Sequence, residues 1–292
     1  MANEITVTTF DNASFLALAA KLPYGQWVRP SRVNKDGKSV KAGSSGIFGN
    51  DIEMRLGVPI NNLKTADFGE GLTRYEIKSK CNSVKTLHTL LNRNPTFWDD
   101  PFAPKRKKGK KGANPRLVER FGVPISRDDP DPERFDKYSR SLHMTWGVND
   151  TDREVNGEFG KYIFNITSDD DYTRINVFER DRIGTAIFFA AWENKSLFAD
   201  VENKIGGNLG CFHYDVRGEK GEEEYCLTSF SRYSGFSQTS FVNALKSGNL
   251  KIDLALSKYR NKNGARDHGT GFRISETDLP KLYASSKVIF SA

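Results

Sequence analysis

Cysteine is scarce. The chain of 292 residues has three, Cys81, Cys211 and Cys226, an odd number with no CxxC spacing. A disulfide framework and a cysteine zinc site are therefore not expected, and a reducing cytoplasm fits. Long apolar runs are missing too. The most apolar stretch, IGTAIFFAAW, falls far short of the roughly 20 residues that a membrane-spanning helix needs. The opening residues, MANEITVTTFD, lack the basic and apolar regions of a signal peptide, so the expected location is cytoplasmic. No internal repeat is visible.

Positive charge is what the chain has in excess. Lys and Arg number 44 against 37 Asp and Glu, a net charge of +7 and a pI near 9.2. That balance points to a polyanionic partner, most often nucleic acid, although it also serves solubility alone. The length allows one large domain or two lobes with ample core.

Residues 13–22, ASFLALAAKL, read as a short helix, and 23–45 as a basic loop rich in Gly and Ser. GIFGNDIEMRLGV (46–58) reads as a second helix. Phe48, Ile52 and Leu56 recur every fourth residue as an inward stripe, Asn50 is a candidate cap for its start, and Gly57 lies near its end. TRYEIKSK reads as a strand with Tyr75 and Ile77 on one face and Glu76 and Lys78 on the other. SVKTLHTLLN reads as a helix or extended arm stopped near Pro95, and PRLVERFG as a helix. The Pro- and Asp-rich RDDPDPERFD (127–136) is the best candidate for a lobe boundary.

Beyond it, YIFNITSDDDYTRINVFE reads as a hairpin and TAIFFAAW as a buried strand. LGCFHYDVRG, EEEYCLTSF and LKIDLALSKY read as strands, and SQTSFVNALKSG as a helix closed by Gly248. NKNGARDHGTGFRI reads as a polar loop entering a short strand.

Glu-x-Lys occurs three times, as Glu76/Lys78, Glu193/Lys195 and Glu202/Lys204. An isolated pair is ordinarily a surface salt bridge of little energetic weight. The first has more around it. Asp67 precedes Glu76 across the turn DFGEG, and a hairpin there brings the two carboxylates together. Close carboxylates repel, so keeping both ionised needs a cation. Mg²⁺ takes few protein carboxylates and otherwise water and phosphate oxygens; it neutralises phosphate charge and lowers the pKa of bound water. The backbone carbonyl of Ile77 is a further candidate ligand, and Lys78 can hold or polarise the attacking water. Glu53, beside the Ile52 stripe, reaches the same cluster from its helix. Glu193/Lys195 follows a strand and has Asp181 upstream, but no Glu-bearing helix comes before it at similar spacing. Glu202/Lys204 lies in a polar connection.

The segment SSGIFGNDIEMRLGVPINNLKTADFGEGLTRYEIKSK resembles the catalytic segment of the MvaI/BcnI group of type II restriction endonucleases, with MutH a more distant relative. In that group a helix Glu precedes a run of the form LG…NN…D…E-(L/I)-K-(S/T), its variant of the PD-(D/E)XK site. The resemblance implies Glu53 as the helix carboxylate, Asp67 and Glu76 as metal ligands, and Lys78 as the water-orienting lysine. KTLHTLLNRNP is similar to the group's LTLF…P stretch, and Asn92 stands where one relative has a histidine near its active site.

RDHGTGFRI (266–274) is the second cluster. Composition alone favours a polar turn with a capping Asp. Arginine, however, reads guanine O6 and N7 in the major groove, Asp accepts from cytosine N4, and glycines let a backbone come close to DNA. The stretch is similar to the HD(H/R)G…(F/L)RI segment with which MvaI/BcnI enzymes read base pairs, and SGNLKIDLALSKY is similar to their GDIKVDIRI. The resemblance implies Asp253, Arg266, His268 and Arg273 as base readers, with Asp267 among the DNA-binding residues. It covers residues 43–125 and 240–274. Arg266 replaces the family's first His, and Ala255 replaces an Arg of one relative, so the target sequence is not simply inherited. KRKKGKK, with Lys105, Arg106 and Lys107, reads equally as a phosphate clamp or a solvated loop. His88 and His213 read as structural.

The expected fold is α/β and restriction-endonuclease-like: a mixed β-sheet flanked by helices, in two lobes around a DNA-binding cleft. Residues 1–130 are the expected catalytic lobe and 131–292 the DNA-recognition lobe. The resemblance implies a Mg²⁺-dependent endonuclease that cuts duplex DNA at a GC-rich site of about four to five base pairs. It also implies a monomer that nicks one strand at a time, and a cognate DNA methyltransferase in the same cell. A MutH-like nicking enzyme that needs an activator, a DNA-binding protein with an idle site, and a modification-dependent nuclease stay open beside it.

Overall fold

The structure, a computed structural model, describes residues 12–31, 46–58, 66–69, 73–98, 113–128, 132–147, 153–157, 160–179, 187–219 and 221–292. The first third of the chain runs α1 (Asn12–Ala19), β1 (Trp27–Val28), α2 (Ile47–Arg55), β2 (Tyr75–Cys81), β3 (His88–Asn92) and β4 (Phe97–Trp98). Next come α3 (Ala113–Phe121), β5 (Val123–Pro124), α4 (Pro132–Lys137), β6 (Tyr138–Gly147), β7 (Arg153–Gly157) and β8 (Gly160–Ser168). They are followed by β9 (Tyr172–Glu179), β10 (Ile187–Glu193), α5 (Asn194–Ile205), β11 (Asn208–Arg217) and β12 (Glu224–Phe236). The chain ends with α6 (Gln238–Lys246), β13 (Leu250–Tyr259), β14 (Ala265–Ile274) and β15 (Tyr283–Ser291).

These elements form two compact units. The first takes residues 1–86, 200–238 and 279–292, the second 87–199 and 239–278. The units do not follow the expected order of lobes with a break at residue 130. Residues 200–238 and 279–292 join the N-terminal segment because β11 pairs with β2, and β12 carries both β1 and β15. RDDPDPERFD is no boundary either, since it leads into α4 inside the second unit, with Pro132 at the first helical position.

The first unit is built on a mixed sheet of order β1-β12-β11-β2, with β15 also on β12. Its one parallel pair is β11 with β2; the others are antiparallel. Alternation along β2 sends Tyr75 and Ile77 into a core with Phe15, Ile52, Leu56, Phe212 and Phe230. Phe15 of α1 stacks on Tyr75 with ring centroids 4.0 Å apart.

Helix α2 lies against β2, with Gly49 facing Ser79. A Cβ there would come within 2.8 Å of Ser79 Oγ. The helix is held by Asp51, a buried carboxylate that accepts from Ser31 N (2.8 Å), Arg55 Nε (2.8 Å) and the Tyr225 hydroxyl of β12 (2.7 Å). Asn50 is not the cap. Gly46 occupies that position with positive φ and no side-chain cap, and Asn50 lies within the helix.

The second unit contains two antiparallel sheets, β4-β10-β9-β8-β7 and β3-β14-β13-β6-β5. They meet through Trp192 of β10, edge-on to Phe272 of β14 at 5.4 Å, while Phe121 of α3 packs on Phe164 and Phe189. SVKTLHTLLN ends in strand β3, not a helix. NKNGARDHGTGFRI, expected as a polar loop entering a short strand, is strand from Ala265 on: β14 pairs with β13 along most of its length and with β3 over Gly271–Ile274.

Asp51→Ala would leave Arg55 and the buried Tyr225 hydroxyl without their acceptor. Urea unfolding should register a loss of about 2–4 kcal/mol.

Candidate active site

The hairpin expected before β2 is present. Phe68 and Tyr75 form an antiparallel bridge with reciprocal backbone hydrogen bonds of 3.0 and 2.7 Å. It brings Asp67 to the edge of β2, where Asp67 Oδ2 accepts from the Ile77 amide at 2.8 Å. Glu76, the neighbouring residue, is 1% exposed. Lys78 Nζ lies 2.6 Å from Glu76 Oε1.

A second ammonium reaches the same oxygen: Lys204 Nζ stands 3.2 Å from Glu76 Oε1. The sequence reading left Lys204 in a polar connection and missed it. It lies in the last turn of α5, which leads directly into β11. Because β11 runs parallel to β2 with Asn208 opposite Tyr75, the end of α5 comes beside the start of β2. The available signal was a glycine pair, Gly206–Gly207, between a helix and an apolar strand. Of the remaining Glu-x-Lys pair, Glu193 closes β10 and Lys195 opens α5.

Electrostatics tie Glu53 to the group. Its carboxyl is pushed up from 4.5 to about 7, first by burial and then by the charge of Asp67, with Glu76 adding to it and Lys78 and Lys204 opposing it. Burial also raises Glu76, with Asp67 contributing and both lysines opposing. Burial draws the Lys78 ammonium down, but Glu76, Asp67 and Glu53 outweigh it and hold it above its usual value. Three carboxylates and two ammonium groups therefore share one site.

That set fits a divalent cation. Glu76 Oε2 is buried and has no hydrogen-bond partner among the described residues. An anionic oxygen in that position is costly unless something positive meets it. Asp67, Glu76 and the Ile77 carbonyl are oxygen donors of the hard type that Mg²⁺ prefers.

The second unit holds the other predicted residues. Asp253 is fully buried on β13. Its Oδ1 accepts from the Thr145 hydroxyl and lies 3.2 Å from His143 Nε2, and its Oδ2 is 2.9 Å from Arg273 Nη2. The Arg273 contact is a close ion pair lying off the axis of a good hydrogen bond, and Arg273 Nε is buried without a partner. Arg266 is exposed and donates to the Tyr138 hydroxyl at 3.1 Å. Asn92 is exposed at the end of β3, opposite Gly271. The side chains of Asp267 and His268, and residues Lys105, Arg106 and Lys107 entirely, lie outside the described part of the structure.

The chain is similar in structure to the restriction endonuclease MvaI in complex with its cognate DNA substrate, with a TM-score of 0.67, 22% identity and 96% of each chain covered. MvaI in the absence of DNA aligns with a TM-score of 0.46 at 24% identity, over 83% of this chain and 86% of that one. No curated protein matches the sequence. The fold is that of a restriction endonuclease. Residues 21–283 match the MvaI/BcnI restriction endonuclease family, and the chain belongs to it. It is accordingly a site-specific deoxyribonuclease of type II.

The Glu53 carboxyl, raised to about 7, binds a proton more tightly in the folded, metal-free chain than in the unfolded one, and Glu76 is shifted in the same direction. Folding without metal therefore takes up protons, and stability should fall as pH rises from the ordinary carboxylate range to about 7. Thermal melts across that window check this, and saturating Mg²⁺ should flatten the dependence.

Proposed function

We propose that this enzyme is Mg²⁺-dependent and hydrolyses duplex DNA at a short GC-rich sequence, as a monomer that nicks one strand at a time. The observation that carries the reading is the buried Glu76, with Oε2 unsatisfied beside Asp67 and Oε1 shared by two lysines. Asp67, Glu76 and the Ile77 carbonyl would hold the ion. When bound, Mg²⁺ neutralises phosphate charge and lowers the pKa of water.

The protein's own groups do the rest. Lys204 keeps Glu76 Oε1 engaged, which releases the Lys78 ammonium to orient the attacking water. Glu53, poised to carry a proton near neutral pH, accepts a hydrogen bond from that water or from Lys78. Water oxygen bonds to phosphorus in line, the bond to the 3′ oxygen breaks, and that oxygen takes up a proton. The products are a 5′-phosphate and a 3′-hydroxyl.

Asn92, Asp253, Arg266, Asp267, His268 and Arg273 are the proposed DNA-binding set for the sequence, and Lys105, Arg106 and Lys107 for phosphates. Duplex DNA is the partner, with a cognate methyltransferase expected in the same cytoplasm. Among the described residues no helix is long and apolar enough to cross a membrane.

Plasmid cleavage by the purified protein tests the proposal. Chelation should abolish it and Mg²⁺ restore it; a requirement for a second protein would favour the MutH-like alternative. Lys78→Ala should cut at least about a hundredfold more slowly, and unchanged cleavage would reject the site. Lys204→Met should slow cleavage roughly tenfold, the usual scale for residues that support a metal ligand.

A further inference from the structure

The second unit carries a residue that no motif singled out. His143 lies on β6 between Leu142 and Met144, which are buried, so alternation sends its ring to the opposite face together with Thr145. Its register partner on β13 is Ala255, whose side chain ends at Cβ and leaves room above it. The ring leans one row along the sheet to Asp253.

Asp253 is thus the buried anchor of two outward-reaching side chains on the strands that flank it. The His143 side chain is 66% exposed and that of Arg273 29%, while Asp253 is wholly covered. Gly271, opposite Asp253, keeps the space open. A Cβ there would lie 3.2 Å from Asn92 Oδ1 and 3.4 Å from Arg273 Nε.

We propose that His143 is a specificity-determining residue, and that His143 and Arg273, both oriented by Asp253, read different base edges of one target site. Arg273 takes a guanine, and His143 takes the exocyclic amine of a cytosine or adenine. The inference rests on the proposed role of this unit in DNA recognition.

The anchor dictates the chemistry. An ionised carboxylate only accepts, so His143 Nε2 carries a proton and donates to it. With Nε2 as the donor nitrogen, Nδ1 offers its lone pair as an acceptor, with no partner among the described residues. Acceptors match the amino groups that cytosine N4 and adenine N6 present in the major groove, whereas the donor-only guanidinium matches guanine O6 and N7. Asp253 is a positioning residue in this arrangement.

Sequencing the ends of a genomic digest tests the assignment with wild type, His143→Ala, His143→Gln and Arg273→Ala. Wild-type ends that share one sequence define the site; ends with no common sequence remove the recognition reading and the inference together. At a defined site, His143→Ala should relax discrimination about tenfold at one base pair, and Arg273→Ala at a different one. Glutamine keeps one donor and one acceptor and should restore part of the lost discrimination. If the alanine variant cuts the same sequence as sharply as wild type, or slows equally at every sequence, His143 is a bystander or a phosphate contact and the inference is overturned.

Discussion

A buried carboxylate, Glu76, sets the terms for the first unit. An isolated anion in that position would be strongly disfavoured. Glu76 is tolerated because Lys78 and Lys204 meet one of its oxygens. The other oxygen has no hydrogen-bond partner among the described residues and stands open to a bound cation. The parallel pairing of β11 with β2 brings Lys204 there, and the Phe68–Tyr75 bridge brings Asp67. Helix α2, packed against β2, brings Glu53 and completes the set. The mixed sheet is therefore the device by which distant segments concentrate charge at one point.

The second unit solves a related problem differently. Asp253 is as buried as Glu76; one of its oxygens accepts from Thr145 and meets His143, and the other, without a hydrogen bond among the described residues, faces Arg273 as a close ion pair. The sheet beneath is apolar, with Ile252, Leu254, Phe272 and Ile274 covered, and the polar residues stand on its other face. A rigid strand framework with a few anchored polar side chains is suited to positioning hydrogen-bonding groups, since little side-chain freedom remains to be lost on contact.

Much of the architecture was legible in local patterns. The alternation of TRYEIKSK, the four-residue stripe of α2 and the Asp-rich turn between β8 and β9 each follow from side-chain periodicity or turn chemistry. Where the reading failed, neighbours had overridden composition. RDHGTGFRI has the glycines and charges of a loop, yet it is strand, because β13 pairs with it along most of its length and β3 adds a second edge over its last four residues. HTLLN could not be told from a helix because a short apolar run has no decisive period. The lobe boundary was misplaced because sheets join strands by hydrogen bonds regardless of how far apart they lie in the chain.

The sequence by itself determined the acid–acid–lysine constellation Asp67, Glu76 and Lys78, its helix partner Glu53 and the family to which the chain belongs, because those features are local spacings. Only the tertiary structure decided that Lys204 shares Glu76, and that Asp253 turns inward to hold His143 and Arg273. The Lys204–Glu76 and His143–Asp253 pairings join residues far apart in the chain, 110 apart in the second case, and all of them depend on strand order and register, which no local period encodes.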